Sequence, residues 1–392
     1  MGRWLMSNIN DGMINFIRKI LKPKYEALNL IEIDAAKIVA NFNYLKSRQP
    51  EAEIFPVLKS NAYGHGLKEI CQVLNKIKPA LVVVDSYPEA QVAYQYFKGK
   101  ILILGEMPHR AYDYCKLSRT EFVVYNEDTL RYLSKYGKRL RAHLFVNSGM
   151  NREGISNISD FIVRNKKYLD KIEIVGLCSH LASADEDSRL NQEQENNFHH
   201  SLDILKQSGF NPRWIHLGNS AAVFTLKSDF LTAYRPGLSL YGYSPFSEGR
   251  EGDSNLQPAL EVFSHIVSVQ HLQVAETVSY NETYRANQET NIAVVPFGYF
   301  EGLDRRLSNR AQFMIESRPE IFWAKIAGRV CMNLTCLELG QNKPKIGDIV
   351  KIVSAKREDH NSVSKLAALC DTIPYEFLVK LQPGIRREII NN

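Results

Sequence analysis

The chain has 392 residues, 44% of them hydrophobic and 23% charged, with a formal net charge of +6. That length is enough for two domains with cores of their own, and those proportions are ordinary for a globular protein. The basic residues lie in small scattered groups (Arg18-Lys19, Lys22-Pro23-Lys24, Lys166-Lys167) instead of a stripe, which argues against a nucleic-acid partner.

Residues 1–22 contain neither a continuous apolar run nor a small-residue cleavage site, so neither a signal peptide nor a membrane span is expected. Residues 10–21 predict a short amphipathic helix inside an N-terminal extension, 1–28. The six cysteines (Cys71, Cys115, Cys178, Cys331, Cys336, Cys370) show no CxxC spacing. They read as free thiols of a reducing compartment, the cytoplasm, with no metal site.

From there the chain has a rhythm. Short apolar or β-branched runs at 54–58, 80–84, 101–104, 121–125, 142–146, 172–177, 214–217 and 238–241 predict strands. Helical patterns such as 67–77, 88–97 and 126–136 lie between them. Eight strand–helix units predict a parallel sheet closed into a TIM-like (β/α)8 barrel over residues 29–258. A doubly wound open sheet is the alternative, but no GxGxxG follows the first strand. After Glu261 the rhythm changes. Strand-like runs at 263–273, 292–295, 321–326, 333–339 and 346–352 are punctuated by Gly and Pro, with one helix expected at 362–369. These predict a mostly antiparallel β domain over 259–392, with the boundary near the loop 247–255.

The densest chemical signal is Val57-Leu58-Lys59-Ser60-Asn61-Ala62-Tyr63-Gly64-His65-Gly66. Lysine is among the residues least often buried, yet Lys59 closes a buried strand at the end where barrel enzymes place their sites. A lysine amine in a partly desolvated pocket can lose its proton and form a Schiff base. Further along, Arg152 sits in the polar loop Asn147-Ser-Gly-Met-Asn-Arg152-Glu-Gly154, where an arginine can clamp an anionic oxygen. His180 follows another strand, Asn219-Ser220 the next, and Tyr234-Arg235-Pro236-Gly237-Leu238 ends the barrel. Small residues there let backbone N–H groups reach a phosphate.

In this order and at comparable spacing these segments resemble the alanine racemase family, over roughly residues 31–386. The resemblance implies a pyridoxal 5'-phosphate (PLP) enzyme, a homodimer with shared active sites, that interconverts L- and D-alanine and supplies D-alanine for peptidoglycan. By the same resemblance Lys59 carries the covalent link to PLP. Tyr63, Ser220, Gly237 and Tyr375 match the positions that hold the phosphate, with Asn219 and Leu238 beside them. Arg235 matches the arginine facing the pyridine nitrogen, Arg152 the one near the phenolic oxygen and substrate, and His180 a histidine supporting the cofactor. Tyr280, in Val278-Ser-Tyr280-Asn-Glu-Thr-Tyr284, matches a second acid/base that reaches the partner subunit. Met332 matches a substrate-carboxylate contact, and Tyr299, Arg305 and Arg329 match an access channel.

Racemisation needs a proton removed from one face of the α-carbon and returned on the other, so a lysine and a tyrosine on opposite sides suit it. An arginine at the pyridine nitrogen cannot give up its proton. It leaves that nitrogen unprotonated and the ring a weaker electron sink, which disfavours decarboxylation. Three positions depart from the family pattern. Phe145 stands where a carbamylated lysine is usual, Asn333 where an aspartate is usual, and Asn281 where a glycine follows the tyrosine. With no carbamate, Arg152 is expected to find a chloride ion or an amide, Asn147 or Asn151. These departures keep open a broader racemase acting on serine, lysine or arginine. A PLP decarboxylase and a non-catalytic PLP-binding protein remain as less favoured alternatives.

Overall fold

The computed structural model describes residues 26–246 and 255–391. The helix expected at 10–21 and most of the expected boundary loop lie outside the described residues. No helix among the described residues is long and apolar enough to cross a membrane.

The first described strand, β1 (Leu30–Asp34), runs into the helix Ala35–Arg48, which Asp34 caps by accepting from the Lys37 N–H. The barrel follows. Its strands are β2 (Glu53–Ile54), β3 (Leu81–Val84), β4 (Lys100–Ile103), β5 (Thr120–Val124), β6 (Arg141–Phe145), β7 (Glu173–Cys178), β8 (Trp214–His216) and β9 (Ala233–Tyr234). Strands β3 to β8 form one continuous parallel sheet in sequence order. Closure comes from β2 and β9. They pair in parallel with each other, Val57 bridges to Val83 of β3, and Thr232 N–H donates to the Ile215 carbonyl at 2.9 Å. Helices such as Leu67–Ile77 pack outside, with Leu67, Ile70, Cys71 and Leu74 buried at the spacing of one helical face.

Two of the expected strands are corrected. The run 238–241 is buried but is a 3-10 turn, and the eighth barrel strand is Ala233–Tyr234 just before it. Pro236 and Gly237 interrupt the extended backbone between them, and a short apolar run does not distinguish a buried strand from a buried turn. The first barrel strand is also shorter than its apolar run, because Pro56 has no N–H to give the ladder.

The second half is a nine-stranded sheet in the order β11-β14-β17-β16-β15-β18-β10-β1-β19. Its members from this half are β10 (Leu260–His265), β11 (Ser268–Leu272), β14 (Thr290–Val295), β15 (Gln312–Ser317), β16 (Glu320–Ile326), β17 (Thr335–Gly340), β18 (Ile349–Val353) and β19 (Arg386–Ile390). The hairpin strands β12 (Thr277–Val278) and β13 (Tyr284–Arg285) stand apart as a pair. All pairings in the large sheet are antiparallel except that of β1 with β19. So β1, which precedes the barrel, belongs to the β sheet, with Ile31 and Ile33 fully buried in it.

The turn that follows β2 positions the candidate site. Ser60, Asn61, Ala62 and Tyr63 have φ of 56°, 55°, 53° and 52°, four consecutive non-glycine residues in the left-handed region. Each costs about 1–2 kcal/mol relative to ordinary backbone, so the turn must be held from outside. The Glu89 carboxylate accepts from the Ser60 N–H at 2.6 Å, and the Asn61 side chain accepts from the Leu67 N–H at 2.9 Å. His65 Nδ1 donates to the Tyr63 carbonyl at 3.0 Å, with its ring stacked on Tyr241 at 4.4 Å. Arg387 of β19 donates to the Gly64 carbonyl from Nε at 3.0 Å and from Nη2 at 2.9 Å.

Two measurements test this bracing. Hydrogen bonds from a charged donor are worth about 1.5–3 kcal/mol, so Arg387→Met should lower the unfolding free energy by roughly 2 kcal/mol in urea titration. An unchanged midpoint would mean that the turn stands without the clamp. Burial, reinforced by nearby Arg387, holds His65 down at about 3 despite the pull of its backbone carbonyls. The unfolded histidine titrates near 6.5. Between those values the unfolded chain binds a proton that the folded one refuses, so stability is full above about 6.5 and falls as pH drops towards 3. A His65→Phe protein should therefore lose less of its thermal midpoint between pH 7 and pH 5 than the unaltered protein does.

Candidate active site

A cavity of about 550 Å³ opens at the C-terminal ends of the barrel strands. Its wall brings together Lys59, Tyr63, Arg152, His180, Asn219, Ser220, Arg235, Gly237 and Tyr375. Residues that are 316 positions apart, Lys59 and Tyr375, thus share one space. Leu238 is buried immediately beyond Gly237 and does not line it.

One end of the cavity is built from neutral donors. Gly237 lies so close to Tyr63 that a Cβ on it would stand 2.2 Å from the Tyr63 hydroxyl, so only glycine lets these two groups share the space. The Ser220 hydroxyl sits over the same backbone, accepting from the Gly237 and Ser239 N–H groups at 3.0 and 3.3 Å. Tyr375 enters from the helix Pro374–Val379, its ring 5.9 Å from that of Tyr63. Burial raises both phenols, Tyr375 to about 12, so both remain protonated and able to donate. Hydroxyls of Tyr63, Ser220 and Tyr375 set around the close backbone of Gly237 are neutral donors of the kind that fit a phosphate.

The other end is cationic. Arg235 is buried, and its Nη1 donates to the His216 carbonyl at 2.7 Å and to His216 Nδ1. Its Nη2 donates to the Ser179 carbonyl at 2.5 Å and reaches His180 Nδ1 at 3.5 Å. Burial, then the charges of Arg235, Arg152 and Lys59, bring His180 down to about 3, so it is neutral at physiological pH. A neutral imidazole between an arginine and a cavity can accept at one nitrogen and donate at the other.

Of the two partners expected for Arg152, the amide is not found. Neither Asn147 nor Asn151 holds it: Asn147 Nδ2 donates to the Asn151 side chain at 3.0 Å, and the Asn147 oxygen accepts from the Gly149 and Asn151 N–H groups. Those amides build the loop. The partner of Arg152 is Glu153, which accepts from Nε at 3.1 Å and Nη2 at 2.7 Å and also lines the cavity. Phe145, where a lysine was looked for, packs its ring on Tyr125 with centroids 4.9 Å apart. The signal for Glu153 was available as an acid next to the candidate arginine in the same loop.

The remaining expected residues do not reach this cavity. Tyr280, Tyr299 and Met332 lie on the β half with 64%, 44% and 56% of their surface exposed, and Arg305 and Arg329 are also away from the cavity. Hydrogen bonds tie this second group together: Tyr299 N–H donates to the Cys331 carbonyl at 3.0 Å, and the Ser279 hydroxyl to the Arg329 carbonyl at 2.8 Å. The two other departures have local explanations. Asn281 has φ 61°, a conformation that asparagine tolerates better than most residues. Asn333 donates to Glu301 at 3.0 Å, a bond an aspartate could not make. Among the described residues, no group of three or more His, Cys, Asp or Glu side chains is placed to hold a metal ion.

Known proteins match along the same lines. Residues 33–245 match the model of the alanine racemase N-terminal domain, and residues 259–389 that of the alanine racemase C-terminal domain. The alanine racemase of Borreliella burgdorferi (strain ZS7) is 30% identical over 376 residues, covering 92% of this chain and 97% of that one. The solved alanine racemase of Bacillus anthracis, with bound L-Ala-P, superposes with a TM-score of 0.84 at 26% identity, over 94% of this chain and 97% of that one. That of Bartonella henselae, with covalently bound pyridoxal phosphate, gives 0.81 at 25% identity, over 93% and 100%. With both halves matched in order and a cavity built from a lysine, two arginines and a phosphate cradle, the chain belongs to the alanine racemase family.

Proposed function

We propose that this protein is a PLP-dependent racemase that interconverts L-alanine and D-alanine, and so provides D-alanine for peptidoglycan in the cytoplasm. The observation that carries this reading is the make-up of one cavity wall: the hydroxyls of Tyr63, Ser220 and Tyr375, the close backbone of Gly237, buried Arg235, and Lys59. Lys59 would hold the cofactor covalently, and Tyr63, Asn219, Ser220, Gly237, Leu238 and Tyr375 would hold its phosphate end. When bound, PLP supplies the electron sink that makes the substrate α-proton removable. Arg235, which only donates, would be the residue to hold the ring nitrogen and keep it unprotonated. Arg152 binds the anionic oxygens on the substrate side, with Glu153 fixing its guanidinium. His180, neutral, supports the cofactor from beside Arg235.

The Lys59 amine takes or returns the α-proton on one face. The other face needs a second group, and the exposed Tyr280 is the one we assign. Its exposure on the β half supports its use by the cavity of a second copy, with Met332 beside the substrate carboxylate and Tyr299, Arg305 and Arg329 along the access path. Each cavity then takes residues from two chains, and the working unit is a homodimer. We assign residues 29–258 to the barrel domain, apart from β1, which pairs into the other sheet, and 259–392 to the β domain, after an extension of 1–28. One observation favours a second reading: Phe145 and the Arg152–Glu153 pair replace the usual lysine arrangement, which suits a racemase of broader range.

α-Proton exchange in deuterium oxide, followed by NMR with a check of product chirality, tests the activity. Exchange with inversion of alanine is the expected result. Faster turnover of serine, lysine or arginine would move the assignment to the second reading, and no exchange with any of them would end it. Positioned acid/base groups contribute about 10²–10⁴-fold, so Lys59→Ala and Tyr280→Phe should each lose at least about 100-fold in kcat. Mixing the two inactive variants should restore part of the activity, and no recovery would mean that Tyr280 does not serve a second copy. An exposed ion pair contributes about 1 kcal/mol at most, so Glu153→Gln should raise the alanine KM by no more than about fivefold, with kcat nearly unchanged.

A further inference from the structure

Three buried side chains that the reaction above leaves idle form a line through the barrel interior behind Arg235. His216 closes β8, His143 lies in the middle of β6, and Glu121 lies near the start of β5. All three are at most 1% exposed. Arg235 Nη1 contacts His216 Nδ1, His216 Nε2 lies 2.7 Å from His143 Nδ1, and His143 Nε2 lies 2.9 Å from Glu121 Oε2. At the far end Glu121 is flanked by Arg141 at 3.2 Å and Lys100 at 3.5 Å, from the strands on either side.

We propose that Glu121 is a positioning residue for Arg235: through His143 and His216 it sets the direction of every hydrogen bond in the line and so holds the guanidinium where it meets the cofactor ring. This rests on the reading of Arg235 as the residue facing that ring.

The direction follows from the two ends. A guanidinium has no acceptor, so His216 Nδ1 must be bare and accept. The His216 proton is then on Nε2 and is donated to His143 Nδ1, which must also be bare. The His143 proton is left on Nε2, where the Glu121 carboxylate, an acceptor only, takes it. Any other placement sets two donors or two acceptors against each other. Burial, Arg235 and His143 all keep His216 well below the usual imidazole value. Burial would raise Glu121, but the His143 hydrogen bond with Lys100 and Arg141 outweighs it and holds the carboxylate below its usual range. A line of this kind is a costly way to fill a barrel. Apolar residues of similar volume are often as stable as, or more stable than, buried ionic groups. The backbone also makes room for it: a Cβ on Gly176 of β7 would stand 2.0 Å from His143 Nδ1. Only Arg235, at one end of the line, reaches the cavity.

The first test reads the tautomers directly, by ¹⁵N-histidine NMR of the PLP-loaded protein at pH 7.5, with signals assigned through single-histidine replacements. Both His216 and His143 should carry their proton on Nε2. A proton on either Nδ1, or on both nitrogens of either ring, would overturn the proposal. The second test uses three variants. Glu121→Met removes the acceptor, Gly176→Ala displaces the His143 ring, and Glu121→Gln keeps an acceptor without the charge. The first two should shift the His216 nitrogen signals and lower kcat about tenfold, in the range known for partners that fix a histidine tautomer, with little change in the alanine KM. Glu121→Gln should retain the wild-type tautomers and most of the activity. Unchanged His216 signals in Glu121→Met and Gly176→Ala, or a Glu121→Gln protein as impaired as Glu121→Met, would also overturn it. If Glu121→Met does not fold, the wild-type tautomers and the other two variants still decide. A failure of the cofactor-site reading is distinguishable, because it would appear as no pyridoxyl mass on Lys59 after borohydride reduction while the tautomers stay as described.

Discussion

The site depends on a backbone conformation that this sequence does not favour on its own. Four consecutive L-residues, Ser60 to Tyr63, are held in the left-handed region. At about 1–2 kcal/mol each, the turn costs a substantial part of the 5–15 kcal/mol that a folded domain has to spare. It persists because unrelated parts of the chain hold it: Glu89 from the helix Tyr87–Tyr96, His65 stacked on Tyr241, and Arg387 from β19. What the strain provides is placement. Lys59 and Tyr63, four residues apart, both line the cavity. Strain over-determined by tertiary contacts in this way is a mark of functional sites.

The same cavity is organised by charge. Three cations, Lys59, Arg152 and Arg235, line it, and the histidine among them is held neutral by burial and by those charges. Only Arg152 has a carboxylate bonded to it directly, in Glu153. Arg235 is instead surrounded by carbonyls and a histidine nitrogen, and the nearest carboxylate on its line lies two imidazoles away. Arg235 therefore has no acid beside it. That matters for chemistry in which a nearby acid could deliver a proton to the ring nitrogen. The Tyr63, Ser220, Gly237 and Tyr375 donors of the same wall are neutral, so the cavity offers both charged and uncharged donors.

Much of this was legible in the sequence because barrel strands are short apolar runs and their C-terminal ends carry the polar residues. Lys59, Arg152, His180, Ser220 and Arg235 each follow such a run, and the structure gathers all five. Periodicity failed where backbone chemistry overrides it. The run 238–241 is as apolar as a strand, yet it turns after Pro236 and Gly237. β1 was passed over although Leu-Ile-Glu-Ile-Asp alternates as an edge strand would, because five residues ahead of a helix look like a leader to that helix. Glu121 and His143 were not legible at all. A single polar residue inside an apolar run has no partner visible in sequence, and the partners here lie on strands 22 positions apart and more.

The pairing of β1 with β19 bears on how such a chain is made. The second strand neighbour of β1 is β19, the last of the described strands, and the Gly64 carbonyl waits for a guanidinium 323 positions downstream. A nascent chain on the ribosome can therefore complete every strand of the barrel while the turn beside Lys59 still lacks its clamp and β1 still shows a bare edge. Closure of sheet and turn waits for β19, and a chain cut short before β19 would present both an unbraced lysine turn and an open strand edge of the kind that recruits other chains.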